Sequence, residues 1–293
     1  MPNEETDQGR SDIEELADAV LAAVEDEIAS DETGSNQSSD VMQRAALAFQ
    51  RLGLEFVRRN NRLNVTVAPQ RLQHPVLFVA NHGFGGIFDL NVFATGAAME
   101  QMQLDRPVTV LTHELAWTLG VGRFLESLGA RPASRDNARR ASSAGEHVLV
   151  FPGGDLDAAK SWEDRNRIVF GGRSGYAQLA LECSAPIVPI VTAGAGESLF
   201  VISNGERLAK AARLDKLLRL KAAPVSVSFP WGLNIGAVGL LPYLPLPSKL
   251  VTRVLPVMDP EEGEDASAYA ARVEMAMQHA LTDMTANRRP LIG

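Results

Sequence analysis

The stretch Val76-Leu77-Phe78-Val79-Ala80-Asn81-His82-Gly83-Phe84-Gly85-Gly86-Ile87-Phe88-Asp89 decides how the rest of the chain is read. Its apolar run, Val76 to Ala80, has the length of a buried strand. The run delivers Asn81 and His82 into a glycine-rich turn, and Asp89 follows at the start of the next apolar-periodic segment. A histidine held by a carboxylate at a strand end is a common way to build a general base. The chain has only five histidines, so one placed here carries weight.

Outward from this stretch the pattern alternates. Apolar runs at 64–68, 76–80, 107–112, 147–151, 187–191, 224–228 and 251–255 read as strands. Helical spacing fills 90–104, 115–128, 134–145, 173–184, 205–219 and 265–287. Strands alternating with helices predict an α/β fold with a largely parallel central sheet flanked by helices on both faces. Ligands in such sheets sit outside the carboxyl ends of the strands. His82, Pro152-Gly153-Gly154 and Thr192-Ala193-Gly194 all follow strand runs and are expected along one edge.

Upstream, two N-terminal amphipathic helices are expected. Ile13, Leu16, Ala17, Val20, Leu21, Val24 and Ile28 mark an acidic helix over 13–28, and residues 29–40 form a polar linker. A second helix over 41–58 carries Phe49, Leu52 and Phe56 on its apolar side and ends in a basic cluster, Arg58, Arg59 and Arg62. That cluster reads either as a solvated helix end or as a contact with anionic lipid. The expected division is an acidic extension, 1–40, and one functional domain, 41–293.

The net charge of −8 hides an asymmetry: residues 1–40 hold thirteen acids and one base, leaving the body at +4. A mildly basic body suits anionic partners such as coenzyme A phosphates or lipid headgroups. No nucleic-acid motif appears, so nucleic acid is not an expected partner. The single cysteine, Cys183, excludes an internal disulfide and fits a reducing compartment. The acidic N-terminus lacks the basic region of a secretory leader, and a cytoplasmic location is expected. Val225 to Leu246 is uncharged, but Pro230, Gly232, Gly236, Gly239, Pro242 and Pro245 break it, so it does not read as a membrane-spanning helix.

A histidine base gains from a carboxylate that fixes its tautomer and stabilises the imidazolium. His82 and Asp89 are seven residues apart, two turns of a regular helix, so the loop must fold back to join them. Gly83, Gly85 and Gly86 permit that. The same carboxylate is equally placed to cap a helix starting at Leu90, and spacing alone leaves both readings open.

The run resembles motif I of the glycerolipid and lysophospholipid acyltransferase superfamily, Asn-His-x4-Asp. Six residues intervene here, which is more similar to the branch related to monoacylglycerol and diacylglycerol acyltransferases. Three more stretches match in order. Gly129-Ala-Arg-Pro-Ala-Ser-Arg135 resembles motif II. Val148-Leu-Val-Phe-Pro152-Gly153-Gly154-Asp155 resembles motif III, with Gly153 in place of its glutamate and Leu156 where its arginine would stand. Ala185-Pro-Ile-Val-Pro-Ile-Val191 resembles motif IV. Phe170-Gly-Gly-Arg173-Ser-Gly-Tyr176 is also similar to the neutral-lipid branch.

The resemblance implies an acyl-CoA-dependent O-acyltransferase acting on a lipid-like alcohol. His82 would take the acceptor proton and Asp89 would orient it. Asn81, Pro152, Gly153 and Gly154 would line the substrate, with backbone amides near the two glycines as oxyanion donors. Arg135 and Arg173 would meet anionic parts of donor or acceptor. The changed motif III argues against a phosphate-bearing acceptor. No metal or cofactor is implied; acyl-CoA or acyl carrier protein enters as substrate. The competing readings are a thioesterase using water at the same base and a catalytically silent lipid-binding protein. A serine hydrolase lacks support because no Gly-x-Ser-x-Gly elbow occurs.

Two further features point to a membrane surface as partner and a peripheral association. Arg207, Lys210, Arg213, Lys216, Arg219 and Lys221 line a leucine-bearing segment, which reads equally as a solvated surface helix or a lipid-facing one. Phe229 to Leu233 and Leu240 to Pro247 form an apolar, proline-broken region, either a buried loop or an acyl-chain contact.

Overall fold

A computed structural model describes residues 37–84, 89–118, 120–205, 224–228, 231–235 and 243–293. The acidic helix at 13–28, the linker to residue 36, Gly85 and Gly86, the basic segment from residue 206 and most of the proline-broken loop lie outside the described residues.

Ten strands are described: β1 (Asn64–Val67), β2 (Leu77–Ala80), β3 (Val108–Thr112), β4 (Ala130–Pro132), β5 (His147–Val150), β6 (Ile187–Ala193), β7 (Phe200–Ser203), β8 (Val225–Ser228), β9 (Gly232–Ile235) and β10 (Val251–Val254). Seven form one sheet in the order β1-β10-β6-β2-β5-β3-β4. From β6 to β4 every pairing is parallel. β10 runs antiparallel to β6 and carries β1 parallel to itself, so these two oppose the rest. The largely parallel sheet expected from sequence is present. One expected strand belongs elsewhere: 224–228 is β8, the centre of a separate antiparallel sheet, β7-β8-β9.

The helices are α1 (Gln37–Arg59), α2 (Leu90–Met102), α3 (Leu115–Thr118), α4 (Gly122–Glu126), α5 (Arg135–Ser143), α6 (Gly154–Ala158), α7 (Gly175–Glu182) and α8 (Ala266–Thr285). The single helix expected over 115–128 is instead two short ones. Gly120 between them adopts φ +82°, a left-handed conformation that ends α3.

Residues along β2 alternate between two covered faces. Leu77 and Val79 join Val148, Val191, Tyr269, Val273 and Met277 on the α8 side. Phe78 and Ala80 join Leu149, Ile190, Val254 and Ala98 on the α2 side. All four β2 residues are buried, which is why this strand reads as an unbroken apolar run. α1 packs on α2 through Val57, Leu90, Phe93 and Ala94. Gly53 makes the approach possible, since a Cβ there would lie 2.0 Å from the Phe93 ring. α1 is therefore a packing helix.

Beneath the site, fully buried His147 at the start of β5 accepts the Val76 backbone N–H at Nδ1, 3.1 Å away. Desolvation holds this imidazole below the usual histidine range; Asp105 opposes the shift and Arg106 adds to it. The folded pKa therefore lies below the unfolded one. Stability is fully present above the unfolded histidine value of about 6.5 and falls as pH drops toward the folded value. Thermal denaturation from about pH 7 to pH 5 should show an acid-side loss that is smaller in His147→Gln; parallel curves would remove His147 as the cause.

Candidate active site

The end of β2 is fixed before the chain enters the loop. Asn81, buried, accepts the Thr192 N–H at Oδ1 (2.9 Å) and donates from Nδ2 to the Thr192 carbonyl (3.1 Å). Its own carbonyl accepts from Asn91 Nδ2 at 2.6 Å. Asn81, expected against substrate, thus has both ends of its amide on β6 and extends the β2–β6 pairing by one side chain. The neighbouring turn approaches closely: a Cβ on Gly83 would sit 2.4 Å from that of Ala195.

His82 Nδ1 lies 2.6 Å from Asp89 Oδ2, with both side chains largely buried. The other Asp89 oxygen, Oδ1, accepts the Asn91 N–H at 2.9 Å and caps α2. The two readings left open by spacing hold together, one per carboxylate oxygen. The imidazole stacks on Phe151, which follows β5, with ring centroids 4.6 Å apart. With Nδ1–H donated to Asp89, the neutral ring keeps its lone pair at Nε2.

The backbone of His82 is held by a residue that sequence reading missed. Asp157 of α6 is wholly buried and accepts the His82 N–H at Oδ2, 2.6 Å away. Its Oδ1 meets Lys160 Nζ at 2.6 Å and the Val169 N–H at 3.2 Å. Lys160, also buried, donates onward to the Arg167 carbonyl at 2.9 Å. A buried carboxylate needs donors on both oxygens and a partner cation, and Asp157 has both. The sequence reading singles out neither Asp157 nor Lys160 beside the Pro152-Gly153-Gly154 turn.

Pro152, Gly153 and Gly154 lead into α6. A Cβ on Gly153 would lie 2.2 Å from the Asp157 Cβ and 2.8 Å from the Val169 carbonyl, so the turn packs directly on the carboxylate that holds His82. Gly154 has φ +51° and donates its amide to the Phe151 carbonyl at 3.1 Å. That amide is engaged within the turn itself. Arg173 donates to the Pro152 and Gly153 carbonyls (2.9 and 2.6 Å) and to Asp155 Oδ1 (3.1 Å). It thus braces the turn, where an anion contact was expected. Arg135 opens α5, exposed, with Nη1 3.7 Å from Glu182 of α7; its recorded contact is outside the His82 cluster. Among the described residues no group of three or more His, Cys, Asp or Glu side chains is placed to hold a metal ion.

The arrangement has comparable proteins. Residues 50–193, which contain His82, Asp89, Asp157 and Arg173, match the family described as Acyltransferase. An uncharacterized protein of Mycobacterium tuberculosis is 32% identical over 174 residues, covering 59% of this chain and 45% of that one. The DGAT1/2-independent enzyme synthesizing storage lipids of Mus musculus is 31% identical over 126 residues, 43% of this chain and 37% of its own. Phytyl ester synthase 1, chloroplastic, of Arabidopsis thaliana is 27% identical over 124 residues, 41% of this chain and 18% of its own. The chain thus spans less than half the length of these curated relatives. The crystal structure of the 1-acyl-sn-glycerophosphate acyltransferase of Thermotoga maritima aligns over 83% of both chains at 14% identity with a TM-score of 0.47.

Proposed function

We propose, from the premise that residues 50–193 form a domain of the glycerolipid acyltransferase superfamily, that the chain moves a fatty acyl group from acyl-CoA or acyl carrier protein to the hydroxyl of a lipid-like alcohol. The observation that carries this reading is the 2.6 Å contact of His82 Nδ1 with Asp89 Oδ2 at the end of β2.

Asp89 accepts the hydrogen bond from Nδ1–H and fixes the tautomer, so Nε2 takes the proton from the acceptor hydroxyl. The acceptor oxygen attacks the thioester carbon. The tetrahedral oxyanion is met by the Gly153 amide. Collapse breaks the carbon–sulfur bond, and the imidazolium returns its proton to the leaving thiolate. No covalent acyl-enzyme is required, and no cofactor enters beyond the donor itself.

A neutral acceptor is favoured. Motif III lacks the arginine that would suit a phosphate, and Arg173 is committed to the turn. The printed names of the relatives refer to storage lipids and phytyl esters. Exposed Arg135 is left for the donor's phosphates. No described helix is long and apolar enough to cross a membrane; the proposed location is peripheral, on the cytoplasmic face.

The test is mass-spectrometric detection of transfer from a panel of acyl-CoAs to mono- and diacylglycerols, lysophospholipids and long-chain alcohols, with wild type beside His82→Ala. Ester formed by wild type and lost in the variant is expected. Free fatty acid as the sole product would move the reading to a thioesterase, and no turnover across the panel would overturn it.

A further inference from the structure

The β7-β8-β9 sheet carries its side chains in reverse of the usual order for a sheet with one face in water. Phe200, Val227 and Leu233 stand opposite one another across its three strands, and Val225 pairs with Ile235. On this outward face Phe200 is 45% exposed, Ile202 52%, Val227 43%, Leu233 65% and Ile235 61%. The inward face instead holds the buried Ser226 and Ser228, with Asn234 donating to Ser228 Oγ at 2.9 Å. An antiparallel sheet beside water normally turns its apolar residues inward, and a continuous apolar patch on the surface marks an interaction site.

We propose that this face docks on an anionic lipid surface. Three observations favour lipid over protein. The segment that joins β7 to β8 carries Arg207, Lys210, Arg213, Lys216, Arg219 and Lys221 against only Glu206 and Asp215. Both its ends join the sheet, since Ser203 pairs with Val225. Such a combination of apolar surface and clustered basic residues matches an anionic bilayer. Trp231, at the β8–β9 turn and half exposed, is the residue type favoured where lipid meets water. A second copy pairing through the same face would bring two such basic segments together, which like-charge repulsion opposes.

The other side of the sheet packs toward the site: Val201, on the inward side of β7, packs with Leu199, Tyr243 and Phe84, and Phe84 is two residues past His82. The purpose of the docking rests on the lipid-acyltransferase reading, but its test reads binding alone.

Full-length chain is sedimented with vesicles of phosphatidylcholine, with and without phosphatidylglycerol, beside the variant Leu233→Asp/Ile235→Asp. Both substitutions lie at exposed positions of an edge strand. Wild type should bind the phosphatidylglycerol vesicles, less as salt rises, and the variant should bind roughly tenfold more weakly or worse. Ile202→Asp, on the opposite edge strand, supplies the same reading should the pair fail to fold. Equal binding by wild type and folded variants, or no binding by wild type, would overturn the proposal. A wild-type dimer that the substitutions dissociate without changing vesicle binding would assign the face to a second copy. Vesicle binding without ester formation would count against the acyl-transfer reading and leave the docking face standing.

Discussion

His82→Ala should lower acyl transfer by roughly 10²- to 10⁴-fold, the span that a positioned acid–base group supplies, while the fold persists. The imidazole is at the rim of the core and its main packing partner is the Phe151 ring. Asp89 makes the sharper test, because its two oxygens have different partners. Asp89→Asn keeps an oxygen able to cap α2 but gives up the charge that supports the imidazolium. Its rate should fall by about as much as that of His82→Ala, with little change in melting temperature. Asp89→Ala should lose the same rate and also about 1 kcal/mol of stability, from the lost cap. The double variant His82→Ala/Asp89→Asn should be no slower than His82→Ala alone, since the carboxylate acts through the ring. Comparing single-turnover rates with thermal melts separates the two jobs. A His82→Ala protein retaining more than about a tenth of the wild-type rate would remove histidine from the mechanism.

Much of this arrangement was legible in the sequence, for identifiable reasons. β2 and β6 are buried on both faces, so each appears as an unbroken apolar run with few alternative readings. The chain must leave the sheet soon after such a run, which places His82 at a strand end. The partnership of His82 and Asp89 was less visible. Seven residues of separation say nothing of direction until a glycine loop turns, and the same aspartate was equally suited to capping. Other features were hidden by size. α6 is a single turn, too short to show periodicity, so nothing in the sequence marked Asp157 or Lys160. β4 has three residues, and β7 and β9 leave most of their residues exposed. β9 also begins at a glycine and exposes its apolar residues, so the usual inward alternation was absent. Residue identity could not tell whether Arg173 aimed its guanidinium at a ligand or at backbone. The structure aims it at two carbonyls of the turn.

The buried pair Asp157–Lys160 offers the second large effect, because it links stability to the placement of the base. Asp157 holds the His82 N–H, the Val169 N–H and Lys160 Nζ at once. Asp157→Ala leaves the Lys160 ammonium buried with only the Arg167 carbonyl recorded beside it, and should cost about 3–5 kcal/mol. That loss alone would not distinguish positioning from general support. The informative protein is Asp157→Leu/Lys160→Met, which replaces both charges by apolar groups. Such replacements of buried ion pairs are often neutral or stabilising, so the double variant should recover most of the stability lost by Asp157→Ala. It cannot restore an acceptor for the His82 N–H. Misplacement of a catalytic group by about 1 Å can cost roughly 10²-fold in rate, so kcat should remain depressed by that order with KM little changed. Asp157→Glu, which retains the charge on a longer arm, should fall between the two in rate. A double variant with recovered stability and a wild-type kcat would show that the pair supports the fold without setting the position of His82. A double variant stable but slow would establish that the base is positioned through its backbone by a carboxylate that never touches the substrate.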